Sequence, residues 1–189
     1  MEFGAGTGFF RVQDSSCEMS ASQELWWRQS ESDHAAFELL RGHGPAVCHT
    51  LHYLQMTTEK LAKAYFWSEG YSPQKSHIGF VKFLNFLGQI RDKKQRDKIA
   101  SLFGFSRFVD FQNWLNTLLP IAYDLERLTP DLANDGPNLE YPWPHSQPKY
   151  ALALYTFRIW ETLTSKSQGR ELMRFIQTAV REFPIYAEF

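Results

Sequence analysis

The chain has 189 residues, of which 43% are hydrophobic, 16% aromatic and 22% charged, and its formal net charge is −1. A chain of this length forms one domain or at most two small ones, without help from disulfides or metals. Its balanced charge and hydrophobic content exclude an intrinsically disordered protein and a grossly basic nucleic-acid-wrapping protein. No run of 18 apolar residues is present, and two cysteines, Cys17 and Cys48, are too few for a disulfide scaffold. We therefore expect a cytoplasmic protein that does not span a membrane.

Gly and Ser are frequent at the N-terminus, and residues 1–21 are predicted to form a flexible leader. Helical periodicity begins after it. A first helix is predicted over residues 22–43, with Ser20 or Ser22 as its N-cap. A second helix is predicted over residues 45–69, and the two are expected to form an antiparallel hairpin.

The middle of the chain continues the helical pattern. A third helix is predicted to begin near Ser76, and the charged residues 91–98 lead into a short apolar segment over 99–103. Apolar residues at alternating spacings of three and four predict a fourth helix over 108–125. Pro120 lies inside that helix and is predicted to kink or break it.

Five of the nine prolines fall within residues 129–148, and we expect a long irregular loop without helix there. Two last helices are predicted over 147–165 and 167–183. The predicted fold is an all-α, up-and-down bundle of five to seven helices, with the Pro-rich insertion before the last two. Residues 22–189 are predicted to form a single domain.

A loose motif covers about a third of the chain. Trp26 and Trp27 precede a polar step that ends at Asp33, and small and aliphatic residues follow up to a Gly turn. The second helix and the segment after it carry Cys48, His49, Gln55, Glu59, Lys60, Lys63, Gly70, Ser76 and His77. In order and spacing these residues resemble the HEPN family of helical domains.

The resemblance implies an up-and-down bundle that commonly forms a dimer. Members of the family include ribonuclease toxins of toxin–antitoxin and defence systems, nucleotide-binding modules, and partners of nucleotidyltransferases. The ribonucleases carry an Arg and, after four to six residues, a His, usually on a later helix. The one such spacing found here joins Arg28 and His34 on the first helix. We therefore expect degenerate catalysis, with these two residues as the catalytic candidates.

Polar residues of the second helix are candidates for binding a nucleotide or RNA. His49 and His52 are three residues apart and share a helix face, and Glu59 and Lys60 follow two turns later. Alternatively, one His is hydrogen-bonded inside the bundle while the other is solvated. No third ligand lies at a recognisable spacing, and neither a metal nor a cofactor is predicted.

A second candidate feature joins the first two helices. Asp33 on the first helix and Lys60 or Lys63 on the second are predicted to form a buried polar cluster across the hairpin, and such a cluster must be fully paired. The cluster either contributes to ligand binding or sets the register of the two helices.

Charge is distributed unevenly along the chain. Residues 82–107 carry a net charge of +5, whereas residues 110–145 carry −5. Within the basic segment, Lys93, Lys94 and Arg96 are predicted to contact a phosphate backbone. The alternatives are a solvated helix end for the basic segment and a complementary dimer contact for the acidic one.

The Pro-rich segment contains Tyr141, Trp143 and His145. Tyr141 and Trp143 are predicted to stack on a base or to contact a partner, and the alternative is a lid packed on the bundle. We expect a HEPN-like protein associated with nucleotides or RNA, possessing degenerate ribonuclease catalysis and belonging to a toxin or defence system. The alternatives are a non-catalytic dimerisation or interaction module, and a ribonuclease that uses Arg28 and His34 or another His. The expected partners are a second copy of the chain, RNA or a nucleotide, and a nucleotidyltransferase-type protein.

Overall fold

A computed structural model describes residues 19–44, 46–67, 79–133, 136–141 and 151–189. Helices and no strands occur in these ranges, which confirms the predicted all-α bundle. Seven of the described helices have eight residues or more, and two four-residue helices, α6 and α9, add to them. The elements are α1 (Ala21–His43), α2 (Val47–Phe66), α3 (Phe80–Leu87), α4 (Lys93–Leu102), α5 (Phe108–Glu126), α6 (Pro130–Ala133), a 3₁₀ turn (Leu152–Leu154), α7 (Arg158–Ser165), α8 (Ser167–Arg181) and α9 (Phe183–Tyr186).

The first helix begins at a complete capping box. The hydroxyl of Ser20 accepts a hydrogen bond from the main-chain N–H of Gln23 at 3.2 Å, and the Gln23 side chain accepts one from the N–H of Ser20 at 3.0 Å. Because Ser20, one of the two predicted caps, is the N-cap, α1 begins at Ala21. The helix ends at Gly44, whose φ of +68° lies in the left-handed region that glycine tolerates.

Helices α1 and α2 form the predicted antiparallel hairpin. The ring of Trp26, near the start of α1, packs 5.7 Å from that of Trp67, just after the end of α2. Further along α1, the hydroxyl of Ser30 donates a hydrogen bond of 2.9 Å to the carbonyl of Thr57, in the middle of α2. Contacts that move forward along one helix and backward along the other require antiparallel chains.

Much of the high aromatic content forms the core. Phe175 of α8 stacks on Phe103 with ring centroids 5.0 Å apart and an interplanar angle of 11°. Its ring also contacts Trp114 at 5.9 Å and both Phe80 and Phe83 at 6.2 Å. Such offset and tilted ring contacts add to the stabilisation from apolar burial. Helix α8 therefore packs its aromatic side against α3 and α5.

The C-terminal residues close the bundle through hydrogen bonds to the hairpin. The indole N–H of Trp27 donates to the carbonyl of Val180 at 2.8 Å, and the hydroxyl of Tyr65 donates to that of Phe189 at 3.0 Å. Each bond satisfies a polar atom that burial would otherwise leave unpaired. Phe189 is thereby held beside the end of α2.

The break predicted at Pro120 and the absence of helix predicted over 129–148 are both wrong. Helix α5 continues without a break through Pro120, which is exposed, so water can satisfy the carbonyl that lacks an N–H partner. Within the predicted loop 129–148, Pro130 is the first residue of the short helix α6. Proline is tolerated at that position because the N–H it lacks would have no partner in the helix.

The last two predicted helices are shorter than expected. Helix α7 begins at Arg158 and not near 147, because Tyr155 and Phe157 adopt extended backbone angles that bury the Phe157 side chain. Helix α8 ends at Arg181, and a separate helix, α9, has Pro184 in its first turn. The predicted start of a helix near Ser76 lies outside the described residues, and α3 begins at Phe80.

Candidate nucleic-acid interface

The predicted polar cluster between α1 and α2 forms. The Nζ of Lys60 makes an ion pair with Oδ2 of Asp33, whose other oxygen accepts a hydrogen bond of 3.1 Å from the side-chain amide of Gln29. Asp33 is 5% exposed and Lys60 is partly buried. A carboxylate so enclosed is tolerated only when it is paired, and here both oxygens have partners.

Two neighbouring charged residues of α2, Glu59 and Lys63, also pair with each other. Lys63 Nζ lies 2.5 Å from Oε1 of Glu59 and 5.1 Å from the ring centroid of Trp26. Glu59 is buried and Lys63 partly so. The positive charge of Lys63 is therefore neutralised and held against the hairpin. These contacts favour the interpretation that the cluster sets helix register.

The two histidines of α2 have different surroundings. His49 is exposed, whereas Nδ1 of His52 is buried and, within the ranges that the structure describes, has no hydrogen-bond partner. Burial lowers the pKa of His52, an effect that nearby Glu140 opposes and Lys60 reinforces. Exposed His49 agrees with the solvated half of the structural alternative, whereas the hydrogen bond inside the bundle is not found for Nδ1 of His52 among the described residues. No group of three or more metal-ligating side chains occurs among the described residues.

The catalytic candidates are not brought together. Arg28 is exposed and pairs with Glu31 at 2.9 Å and Glu24 at 3.6 Å. The His34 ring is largely buried, 6.0 Å from that of Phe37, and desolvation lowers its pKa. A spacing of six residues puts two side chains about 120° apart around a helix, which explains the separation.

The three predicted phosphate contacts divide between two sides of α4. Asp92 caps the helix through the N–H of Gln95 at 2.9 Å, and Lys93 and Lys94 are exposed in its first turn. Arg96 lies across the helix from Lys94 but shares a face with Lys93, and its guanidinium is 5.7 Å from the ring centroid of Phe108. Lys94 instead shares a face with Lys98, one turn later.

A basic–aromatic surface, defined here as Phe66, Lys82, Phe86, Lys98 and Phe189, lies beside that face of α4. Lys82 Nζ is 4.9 Å from the ring centroid of Phe66, and Lys98 Nζ is 5.4 Å from that of Phe189. The rings of Phe66 and Phe86 meet edge to face at 5.8 Å, and Phe86 is 46% exposed. Cations over ring faces and a half-exposed ring therefore occupy one surface.

Tyr65 contacts both parts of the basic–aromatic surface, the part around Phe66 and Phe86 and the part around Phe189. Its ring contacts Phe66 at 5.4 Å and Phe86 at 5.6 Å, and its hydroxyl donates to the carbonyl of Phe189. Burial raises the pKa of Tyr65, so the hydroxyl stays protonated as a donor.

The lysines that border this surface are not neutralised. In the part of the chain that the structure describes, no carboxylate forms a salt bridge with Lys82, Lys94 or Lys98. The spacing of Lys82 and Phe86, one helical turn, is a sequence signal for half of the surface. No local sequence pattern indicates the contact between Phe189 and Lys98, because the two residues are distant in the chain and are brought together only by tertiary packing.

The predicted partner contacts are only partly described. Tyr141 is 61% exposed, and its N–H and that of Glu140 donate to Oδ1 of Asn138 at 2.7 and 2.9 Å. This turn presents the tyrosine outward, whereas Trp143 lies outside the described residues. That Trp143 and Tyr141 contact a partner stays a prediction.

No family model, curated protein or solved structure matches the chain. The resemblance to HEPN domains therefore depends on the sequence pattern alone. Among the described helices, none has the length and apolar character needed to cross a membrane.

Proposed function

We propose that this protein is a HEPN-like helical bundle that binds single-stranded RNA on its basic–aromatic surface and does not cleave it through Arg28 and His34. The observation that carries the proposal is the placement of Lys82 and Lys98 over the partly exposed rings of Phe66 and Phe189, with no carboxylate partner among the described residues. Single-stranded nucleic acid is bound by this combination of cations that follow the backbone and rings on which bases stack.

The start of α4 extends the positive potential of this surface. Lys93 and Lys94 lie in the first turn, where the partial positive charge of the helix N-terminus adds to theirs. Like charges at that end are slightly unfavourable for the helix, and an approaching phosphate removes the repulsion. Lys94 and Lys98 then offer two phosphate contacts one turn apart along α4.

Binding of a fluorescent single-stranded RNA, followed by anisotropy at several salt concentrations, tests the proposal. If Lys82, Lys94 and Lys98 each neutralise one phosphate, the logarithm of the association constant should fall with the logarithm of the salt concentration at a slope of roughly −2. The double variant Lys94→Glu with Lys98→Glu should bind at least about tenfold more weakly at low salt. Phe86→Ala should weaken binding by about 1 kcal/mol through lost base stacking.

The matched control reverses two charges elsewhere. Arg158 and Lys166 are exposed and lie at the two ends of α7, outside the basic–aromatic surface. Arg158→Glu with Lys166→Glu changes the net charge equally and should leave most of the affinity intact. No binding by the wild-type protein at low salt, or equal losses in both double variants, would refute the proposal.

The interaction module remains the second candidate, and exposed Tyr141 favours it. It requires self-association or a protein partner and no affinity for RNA. Sedimentation of the RNA-free protein at micromolar concentration separates a dimer from a monomer. A dimer that binds no RNA would favour this candidate over the first.

A further inference from the structure

A pocket with three arginines lies on another part of the molecule, between α1, α7 and α8. It encloses about 340 Å³, within the range of small-molecule sites. Its polar lining includes Arg41, Arg170, Arg174 and Glu38, and its apolar lining includes Trp160 and Met173. The charged side chains of the lining sum to a formal +2. None of these residues belongs to the basic–aromatic surface.

Helix spacing explains why the arginines converge. Arg170 and Arg174 are four residues apart on α8 and share one face. The opposite face of α8 is buried, so both guanidinium groups are directed towards the pocket side of the helix. Arg41 comes from the last turn of α1, where a cation is favoured by the helix dipole.

The arginines retain unused hydrogen-bonding capacity. In the described part of the chain, Arg170 pairs with no carboxylate, and its Nη1 donates to the carbonyl of Ser165 at 2.8 Å. Arg41 contacts Glu38 at 2.6 Å through Nη2. Nε and Nη2 of Arg174 both donate hydrogen bonds to one oxygen of Glu171, at 3.1 and 2.7 Å. A guanidinium has five N–H donors, so each retains donors for an anion.

The geometry points to a binding site for an organic phosphate, with the phosphate held by Arg170 and Arg41 and an apolar group against Trp160 and Met173. A phosphate monoester has one more terminal oxygen than a carboxylate and a larger negative charge, so it is better matched to more than one guanidinium fork. Trp160 supplies a partly buried flat ring at the wall of the same pocket. The lining therefore includes both guanidinium groups for a phosphate and apolar side chains for the rest of the ligand.

Phenyl phosphate is the probe that tests this site. The indole N–H resonance of Trp160, assigned with Trp160→Phe, should shift and saturate on titration. Arg170→Gln and Arg41→Gln should each raise the dissociation constant at least about tenfold, the change expected for one charge-assisted hydrogen bond. Arg158→Gln, which removes an exposed arginine of α7 outside the pocket, should leave the constant unchanged.

Three further ligands separate the contributions of charge and ring. Phenol should leave the Trp160 resonance in place, benzoate should bind more weakly than phenyl phosphate, and inorganic phosphate should bind without the apolar contribution. An unchanged Trp160 resonance with phenyl phosphate, tighter binding of benzoate, or equal weakening by Arg158→Gln would each overturn the assignment. RNA affinity of the Arg170→Gln variant should equal that of the wild type, which distinguishes this site from the proposed RNA surface.

Discussion

The carboxylate of Glu126, near the end of α5, accepts a hydrogen bond of 2.8 Å from the main-chain N–H of Phe80, the first residue of α3. The same oxygen accepts from the N–H of Gly79 at 2.7 Å. Glu126 is 4% exposed, and it caps α3 in place of a local side chain, since Gly79 has none. Two segments distant in the chain are thus joined by a buried anion at a helix N-terminus.

Removing this distant cap should destabilise the bundle. Glu126→Ala removes the side-chain acceptor of three main-chain N–H groups, of which that of Phe80 is buried and those of Gly79 and Val81 are partly buried, and we expect the free energy of unfolding to fall by about 2–3 kcal/mol. Urea denaturation measures the change, with Asp124→Ala as the control because Asp124 is exposed on the same helix. Equal stabilities of the two variants would show that the cap contributes little.

The Asp33–Lys60 ion pair should be strongly coupled. Asp33→Ala leaves a partly buried ammonium unpaired and should cost about 2 kcal/mol, discounted for the exposure of Lys60. The double variant Asp33→Ala with Lys60→Met should be more stable than Asp33→Ala alone, because no unpaired charge remains. A double-mutant cycle measured by urea denaturation gives the coupling energy. Additive effects would contradict the inferred pairing.

Gly169 permits α7 and α8 to approach closely. A Cβ on this residue would lie 1.9 Å from the carbonyl oxygen of Thr162 and 2.6 Å from Cα of Leu163. Because both neighbours are main-chain atoms, the helices must separate, and Gly169→Ala should cost about 3 kcal/mol. Thermal unfolding measures the loss against Gln168→Ala, a change at the exposed preceding residue of the same helix. A Gly169→Ala melting temperature equal to that of the control would exclude this contact in solution.

Stability should fall as the pH drops below 6.5. Burial lowers the pKa values of His34 and His52 below 6.5, so the unfolded chain binds these protons more readily than the folded one. The stabilisation is present above pH 6.5 and is lost as the pH falls through the folded-state values. Urea denaturation between pH 7.5 and 5 should show a smaller decline for His52→Gln than for the wild type. An identical decline would exclude His52 as a contributor.

The proposal of degenerate catalysis predicts no specific RNA cleavage. Incubation of structured RNA with the wild type, His34→Ala and His49→Ala should give equal, background-level product on a denaturing gel. Arg28 is paired with two glutamates, and His34 lies against Phe37, so neither is placed to share a substrate atom. A cleavage product that the wild type and His49→Ala form, and that His34→Ala does not, would favour the ribonuclease alternative.

Part of the candidate site follows from local spacing. The Asp33–Lys60 contact and the shared face of Lys94 with Lys98 require only helix geometry and a short connection between helices. The same geometry separates Arg28 from His34 and Lys94 from Arg96. The contacts of Lys98 with Phe189 and of Glu126 with Phe80 join elements far apart in the chain, so no local pattern predicts them.

By itself the sequence determined the helical class of this protein, the α1–α2 hairpin and the aromatic nature of its core, because periodicity and capping depend on near neighbours. Only the tertiary structure decided which cations are neutralised and which remain available. Lys60 and Lys63 looked like ligand contacts, yet folding supplies each with a buried carboxylate. Lys82 and Lys98 acquire aromatic neighbours instead. The physical reason is that a side chain's partners depend on helix packing, which brings together residues that spacing cannot relate.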